Sequence, residues 1–302
     1  MKEFDKAGFL NIHKEAGFTS HDVVAKLRGI LHTKKVGHTG TLDPMATGVL
    51  PVAIGRAAKT IELLSDHSKA YTALMQLGTE TDTYDSTGTV TAESEVNVSE
   101  EEVRKACASF VGRIEQLPPM YSAKKVDGKR LYELARQGKQ IERTPQQVEI
   151  FSLCITEMKL PYVEFTVECS KGTYIRSLCN DIGAALGCGA CMAKLTRTRA
   201  GSFLLEDALR LSEIEEARDA GRVDEILLPT DAAFIEYPRV VLSDCFTMRA
   251  LNGTQIPKEM TASEGTDAAL YRMYLANGSF LGLYSLSHGY YHVKKLCLLS
   301  DV

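Results

Sequence analysis

A single carboxylate, Asp43, stands in the run Gly37–His38–Thr39–Gly40–Thr41–Leu42–Asp43–Pro44–Met45–Ala46–Thr47–Gly48. Glycine permits backbone angles that a side chain forbids, and proline fixes its own φ and restricts the residue before it. A carboxylate on such a loop is held in one orientation, as a nucleophile or general base must be. The Asp43–Pro44 pair is equally ordinary turn chemistry, in which the aspartate only caps a bend. The dipeptide alone leaves both readings open.

The elements around this loop follow from periodicity. Ser20 is expected to cap a helix whose inner face is Val23, Val24, Leu27, Ile30 and Leu31. A strand is predicted over Ala70–Leu77, with Tyr71, Ala73, Met75 and Leu77 on one face. Ser99 and Glu102 form a capping box before Val103, Ala106, Cys107 and Phe110. Val163, Phe165, Val167 and Cys169 alternate with polar residues and lead the chain to Ser170–Arg176. Ile175, Leu178, Ile182 and Leu186 then read as a helix stopped at Gly187. Strands and helices are mixed without regular alternation, which predicts an α+β fold with a mixed sheet.

Leu211–Val223 reads as an acidic helix, and the stretch from Leu228–Pro229 to Tyr237–Pro238 as a linker. Short β-type runs follow at Val240–Leu242, Tyr271–Tyr274, Leu281–Leu286 and Tyr291–Leu298, with turns at Asn252–Gly253 and Asn277–Gly278. The expected division is a catalytic domain over 1–235 and a small β-rich domain over 236–302.

At 302 residues the chain can bury one large core and a small one. Its net charge of −4 does not announce a nucleic-acid binder, but the charges are segregated. Between Gly112 and Arg143 stand eight Lys or Arg and four acids, and Lys194, Arg197 and Arg199 form a second basic cluster. Acid gathers in Glu93–Glu102 and Glu213–Glu225. Such a pattern suits local contact with phosphates, and suits a merely solvated surface equally well. No apolar run follows Met1–Lys2–Glu3–Phe4–Asp5, and none elsewhere reaches membrane-spanning length, so a cytoplasmic protein is expected. The eight cysteines are expected as reduced thiols. Cys188–x–x–Cys191 has no second pair to complete a zinc knuckle, and no metal site is expected.

Three long motifs carry a family resemblance. The Asp43 run resembles the signature of the TruB family of tRNA pseudouridine synthases, Gly-His-x-Gly-x-Leu-Asp-Pro-x-Ala-x-Gly. Gln116–Lys125, with Gly128, Leu131–Tyr132 and Ala135–Arg136, resembles the family's RNA-gripping loop, set at 112–143. Ser170–Leu178 resembles its second active-site motif. The Lys14–Glu15–Ala16–Gly17 stretch lacks a proline usual in the family, and Ala57–Ala58–Lys59 stands for Ala-Thr-Lys. Both departures bear on loop geometry and neither on a catalytic position.

The resemblance implies isomerisation of uridine-55 in the tRNA T-loop to pseudouridine. The N1–C1′ bond breaks and C1′ is rejoined at C5, with no redox change and hence no cofactor. Asp43 matches the catalytic nucleophile, and Arg176 its ionic partner. Tyr71 matches a ring on which the flipped base stacks, and His38 the residue that props the RNA after flipping. Tyr174 and Leu195 match residues lining the base pocket. Taken alone, Arg176 reads rather as a remote ion pair, Tyr71 as core and His38 as a solvated loop residue, while Leu195 reads equally as core. The basic segment would clamp the T-arm through phosphates. The C-terminal position holds a PUA-like RNA-binding domain in the family, and Leu251–Asn252–Gly253 is similar to its opening. A monomer working without an obligate protein partner is expected. The rivals are a tRNA-folding chaperone on the same scaffold and a guide-RNA-dependent synthase; Met45–Ala46–Thr47 is more like the stand-alone bacterial enzymes.

Overall fold

The computed structural model describes residues 6–64, 67–122, 124–126, 128–138, 141–263 and 268–297. Strand β1 (Gly8–Lys14) leads into helix α1 (Ser20–Leu31), whose Val23, Val24, Leu27, Ile30 and Leu31 are buried as its spacing requires. Its N-cap is Thr19, not the expected Ser20: the Thr19 hydroxyl accepts from the Asp22 amide, and Asp22 accepts from the Thr19 amide. A capping box needs its acid three residues on, and only Thr19 has one at that spacing.

Strand β2 (Val36–His38) ends at the Asp43 loop, which returns as β3 (Thr47–Ile54). A 3-10 turn and the short helix α2 (Ile61–Leu64) precede β4 (Lys69–Leu77). The hairpin of β5 (Thr79–Thr81) and β6 (Val90–Glu93) carries Asp85 in its connecting loop. Helix α3 (Glu100–Ser109) begins at the predicted Ser99–Glu102 capping box. Strand β7 (Gly112–Gln116) is followed within the 112–143 segment by the antiparallel pair β8 (Lys125–Val126) and β9 (Lys129–Arg130), and by helix α4 (Leu131–Arg136). Asp127 and Lys139 of that segment lie outside the described residues. The long strands β10 (Gln146–Lys159) and β11 (Tyr162–Cys169) lead to α5 (Ile175–Leu186), ended by Gly187 at φ 74°. Strands β12 (Ala190–Ala200) and β13 (Phe203–Leu204) complete the sheet.

That sheet has nine strands in the order β1-β3-β12-β4-β11-β10-β7, with β2 on β3 and β13 on β12. Only the β3–β12 pair is parallel, so the mixed sheet and the α+β class are as read from the sequence. Helices α3 and α5 bury Val103, Cys107, Leu178 and Ile182 against the inward residues of β4 and β11. On the other flank α1 packs on β1 and β3, covered by α6 (Leu211–Asp219) and α7 (Val223–Ile226). The single helix expected over Leu211–Val223 is thus two, parted at Gly221 with φ 68°.

The second, six-stranded sheet has its own core of Val240, Leu242, Tyr271, Met273, Leu281, Tyr284 and Tyr291. Its strands are β14 (Arg239–Leu242), β15 (Ile256–Pro257), β16 (Thr261–Ser263), β17 (Tyr271–Tyr274), β18 (Phe280–Ser287) and β19 (Tyr290–Leu296), in the order β15-β19-β18-β17-β14-β16. Asn277–Gly278 turns β17 into β18, whereas Asn252–Gly253 ends a short helix, α8 (Thr247–Leu251), rather than joining two strands. Leu298, expected on the last strand, lies outside the described residues. The stretch read as a linker is not loose: Thr230–Phe234 is a 3-10 turn, and Ala233 and Phe234 are fully buried with Phe9, Phe203 and Leu283. Apolar side chains at a crossing are drawn into whichever core adjoins them.

Candidate active site

Asp43 sits on the connection from β2 to β3, and almost every carbonyl of that connection has a partner. The Ser20 hydroxyl accepts from the Leu42 amide at 2.8 Å and donates to its carbonyl at 3.3 Å. The Ala46 amide donates to the Asp43 carbonyl at 3.1 Å, closing the turn over Pro44. Lys14, wholly buried, donates to the Pro44 and Ala46 carbonyls at 3.2 and 2.5 Å. The Gly17 amide adds a bond to Pro44 at 2.9 Å, so the loop docks without the proline missing after Lys14. Burial lowers the Lys14 ammonium to about 8, partly offset by the Asp43 charge.

Arg197 holds the other side of the loop. Its Nε donates to the Val49 carbonyl at 2.6 Å, Nη2 to Gly40 at 3.2 Å and Nη1 to Thr41 at 3.5 Å. Gly48, at φ 102°, lies flat on the Arg197 main chain, where a Cβ would stand 2.2 Å from the carbonyl oxygen. This close approach is why the motif needs glycine there. Arg197 is therefore not part of a phosphate-binding surface, as its place beside Lys194 and Arg199 suggested; it is 2% exposed. Arg199 likewise spends its charge on Glu168 at 2.5 Å, leaving Lys194 as the exposed cation of the three.

Arg176, at the start of α5 and 4% exposed, meets Asp43 side-on. Its Nη2 donates to Asp43 Oδ1 at 3.1 Å, and Nε lies 2.9 Å from Oδ2, off the line of the N–H bond. Nη1 and Nη2 also donate to the Thr83 and Tyr121 carbonyls at 3.0 and 2.8 Å. On its far side Nη1 is 3.4 Å from Asp85 Oδ2. Asp85 is buried, and its other oxygen accepts from Thr83 and from the amide and hydroxyl of Thr87. Sequence reasoning missed Asp85, Lys14 and Ser20 as parts of the site. Each acts through folding contacts far along the chain, and none lies in a chemically suggestive run.

The Asp43 side chain remains 32% exposed to solvent. Packed surroundings raise its carboxyl above the usual range; the Arg176 charge opposes this and Asp85 adds to it. His38, on β2, is pushed down by burial and by Arg197, which favours a neutral imidazole. Its Nδ1 is buried without a hydrogen-bond partner. Tyr71 and Leu195 are 8% and 7% exposed and share a cluster with Leu42 and Ala46 beside Asp43. Tyr71 stands opposite Arg197 across the β4–β12 pairing. Tyr174 precedes α5; its amide donates to Gln116 at 2.7 Å and its carbonyl accepts from Gln116 at 3.0 Å. Arg176, Tyr71, Tyr174 and Leu195 thus gather around Asp43, and His38 stands near Arg197.

The 112–143 segment is rooted in the same place. Ser177 donates to the Leu117 carbonyl and Arg143 to that of Pro118, at 3.0 and 2.9 Å. Lys124 donates to Gln146, which in turn donates to Gly172. Cys188 and Cys191 are buried thiols, and no group of three or more metal-ligating side chains gathers among the described residues.

Such a clamped carboxylate on a glycine-rich loop, beside buried aromatic and apolar walls, invites comparison with known proteins. Residues 28–175 match the sequence profile of the TruB family pseudouridylate synthase N-terminal domain. Residues 176–235 match that of the tRNA pseudouridylate synthase B C-terminal domain. The chain is 46% identical to tRNA pseudouridine synthase B of Clostridium kluyveri over 91% of its own length and 94% of the relative's. With the Clostridium acetobutylicum protein of the same name it shares 43% identity over 96% and 99%. Among solved structures, a chain of a Cbf5–Nop10–Gar1 complex superposes with a TM-score of 0.78 at 27% identity, over 99% of this chain and 86% of that one. A chain of an H/ACA ribonucleoprotein bound to a substrate RNA containing 2′-deoxyuridine gives 0.77 at 26%, over 97% and 86%.

Proposed function

The chain belongs to the TruB family of pseudouridylate synthases and forms pseudouridine in tRNA, and from that premise we propose that Asp43 is the nucleophile acting on the T-loop uridine-55. The carrying observation is the side-on clamp by Arg176 of an Asp43 side chain that stays partly exposed. The Arg176 charge favours the ionised carboxylate and aims it, yet leaves it partly open to a base entering from outside.

The target uridine leaves its stack at a cost of a few kcal/mol, and stacking on an aromatic face returns about 1–3 kcal/mol. Tyr71 supplies that face, with Leu195 and Tyr174 as further walls. One Asp43 oxygen attacks the nucleoside, the N1–C1′ bond breaks, and the detached uracil turns within the walls. C5 then bonds to C1′ and the bond to the Asp43 oxygen breaks, the C5 hydrogen leaves as a proton, N1 takes one up, and Asp43 is regenerated. Neutral His38 fills the gap left in the RNA without placing a charge there. The 112–143 segment, whose root touches Arg176 through Tyr121, grips the T-arm. The domain division at 235/236 and a PUA-like RNA-binding role for the second sheet belong to this reading, as do a monomeric state and a cytoplasmic location. No described helix is long and apolar enough to cross a membrane.

Purified protein incubated with a tRNA transcript tritiated at C5 of its uridines tests the reading. About one equivalent of tritium should be released by wild type, and none by Asp43→Asn or from tRNA lacking the T-loop uridine. Tight tRNA binding without release would favour a folding chaperone or a guide-dependent synthase instead.

A further inference from the structure

Arg197 is among the largest fully buried side chains of the protein, yet no described Asp or Glu forms an ion pair with it. A buried guanidinium without a carboxylate is costly and persists only where other groups compensate it. Its compensation comes from main-chain carbonyls on both sides of the nucleophile: Gly40 and Thr41 before Asp43, and Val49 after it. The planar fork fixes the entry and the exit of one loop at once, which a point charge such as lysine cannot do. Across the sheet the guanidinium also hydrogen-bonds the Tyr71 side chain. Its main chain is in turn pinned under Gly48.

We propose that Arg197 is a positioning residue for the isomerisation: its guanidinium holds the Gly40–Val49 loop and the Tyr71 wall as one rigid unit, fixing the Asp43 carboxylate relative to the bound base. Arg176 then supplies charge to Asp43 while Arg197 supplies its place. This rests on the proposed role of Asp43. If the loop merely stabilised the fold, losing the fork would reduce the amount of competent enzyme. If it positions the nucleophile, the rate of every remaining competent molecule falls.

The two are separated by single-turnover reactions with excess enzyme, reading rate constant and end point apart. Wild type and Asp43→Asn come first, because an active Asp43→Asn would remove the premise and not this inference. Arg197→Met is then expected to bind tRNA within about threefold of wild type and to reach a normal end point. Its rate constant should be lower by about 100-fold, the scale expected of a misplacement near 1 Å. A wild-type rate constant, at whatever end point, would overturn the proposal. Should Arg197→Met fail to fold, Arg197→Lys keeps a cation and loses the fork. It should still be slowed about tenfold or more; a wild-type rate would show that the charge alone suffices and would equally overturn it.

Discussion

Arg176 balances two carboxylates, and the consequence is a pH dependence with a definite sign. Burial raises the Asp43 carboxyl, and the Arg176 charge is the largest influence opposing that rise. With Asp43 as the proposed nucleophile, only its ionised form can attack, so the single-turnover rate should climb with pH along a limb lying above the 3.8 of an unperturbed aspartate. Arg176→Gln removes the opposing charge, so the limb should move to higher pH and the loss should be greater in acid than in neutral buffer. An unshifted limb would mean that Asp43 is not the titrating group. Asp85→Asn keeps the shape of the pocket while removing the second charge beside Arg176. With the Asp43, Thr83 and Tyr121 contacts left to hold the guanidinium, the rate should fall about 10- to 100-fold. Circular dichroism should be unchanged and tRNA affinity near that of wild type.

At the scale of elements, the site depends on the crossing of β3 over β12. The parallel pairing of Gly48 with Arg197 lets the main chains touch, and a methyl group has no room there. Gly48→Ala should lower stability by about 1–3 kcal/mol from overpacking, with additional strain from the positive φ. Thermal denaturation measures that loss, and the tritium assay should show activity lost with it. Helix α1 contributes in a different way. Because Thr19 takes the cap, the Ser20 hydroxyl is left to hold Leu42, the residue before Asp43. Ser20→Ala should therefore cost about 1–3 kcal/mol through the unsatisfied Leu42 groups, with α1 itself intact. Thr19→Ala should instead fray the helix and leave the loop in place.

Across the whole molecule the two sheets share buried surface. Phe234 packs with Phe9 and Phe203 of the large sheet and with Leu283 of the small one. His67 lies 3.0 Å from Glu236 and meets the Phe234 ring edge-on, and Lys295 meets Glu62 at 2.5 Å. Cutting the Phe234 side chain back to alanine should destabilise by about 3–5 kcal/mol. Calorimetry should then show one cooperative transition moved down in temperature as a unit. Two resolved transitions, with the larger unmoved, would mean that the sheets melt independently and that the shared cluster contributes little.

The sequence by itself determined what local pattern governs. Period-two alternation placed Tyr71, Ala73, Met75 and Leu77 inward, the Ser99–Glu102 box started α3, and Gly187 stopped α5. The glycines and proline around Asp43 marked a fixed loop because they constrain the backbone wherever the loop lies. Three long motifs together named the family, since each is a contiguous run. Tertiary structure decided what depends on neighbours remote in the chain. Asp85 reaches Arg176 across 91 positions (176 − 85), and no spacing rule connects them. Arg197 looked like one of three surface cations, because charge in a sequence carries no information about depth. The linker proved to be packed core, because apolar residues such as Phe234 are buried only when a neighbouring sheet arrives to cover them. Local chemistry marked Asp43 and its loop; long-range packing set the partners that hold the carboxylate in place.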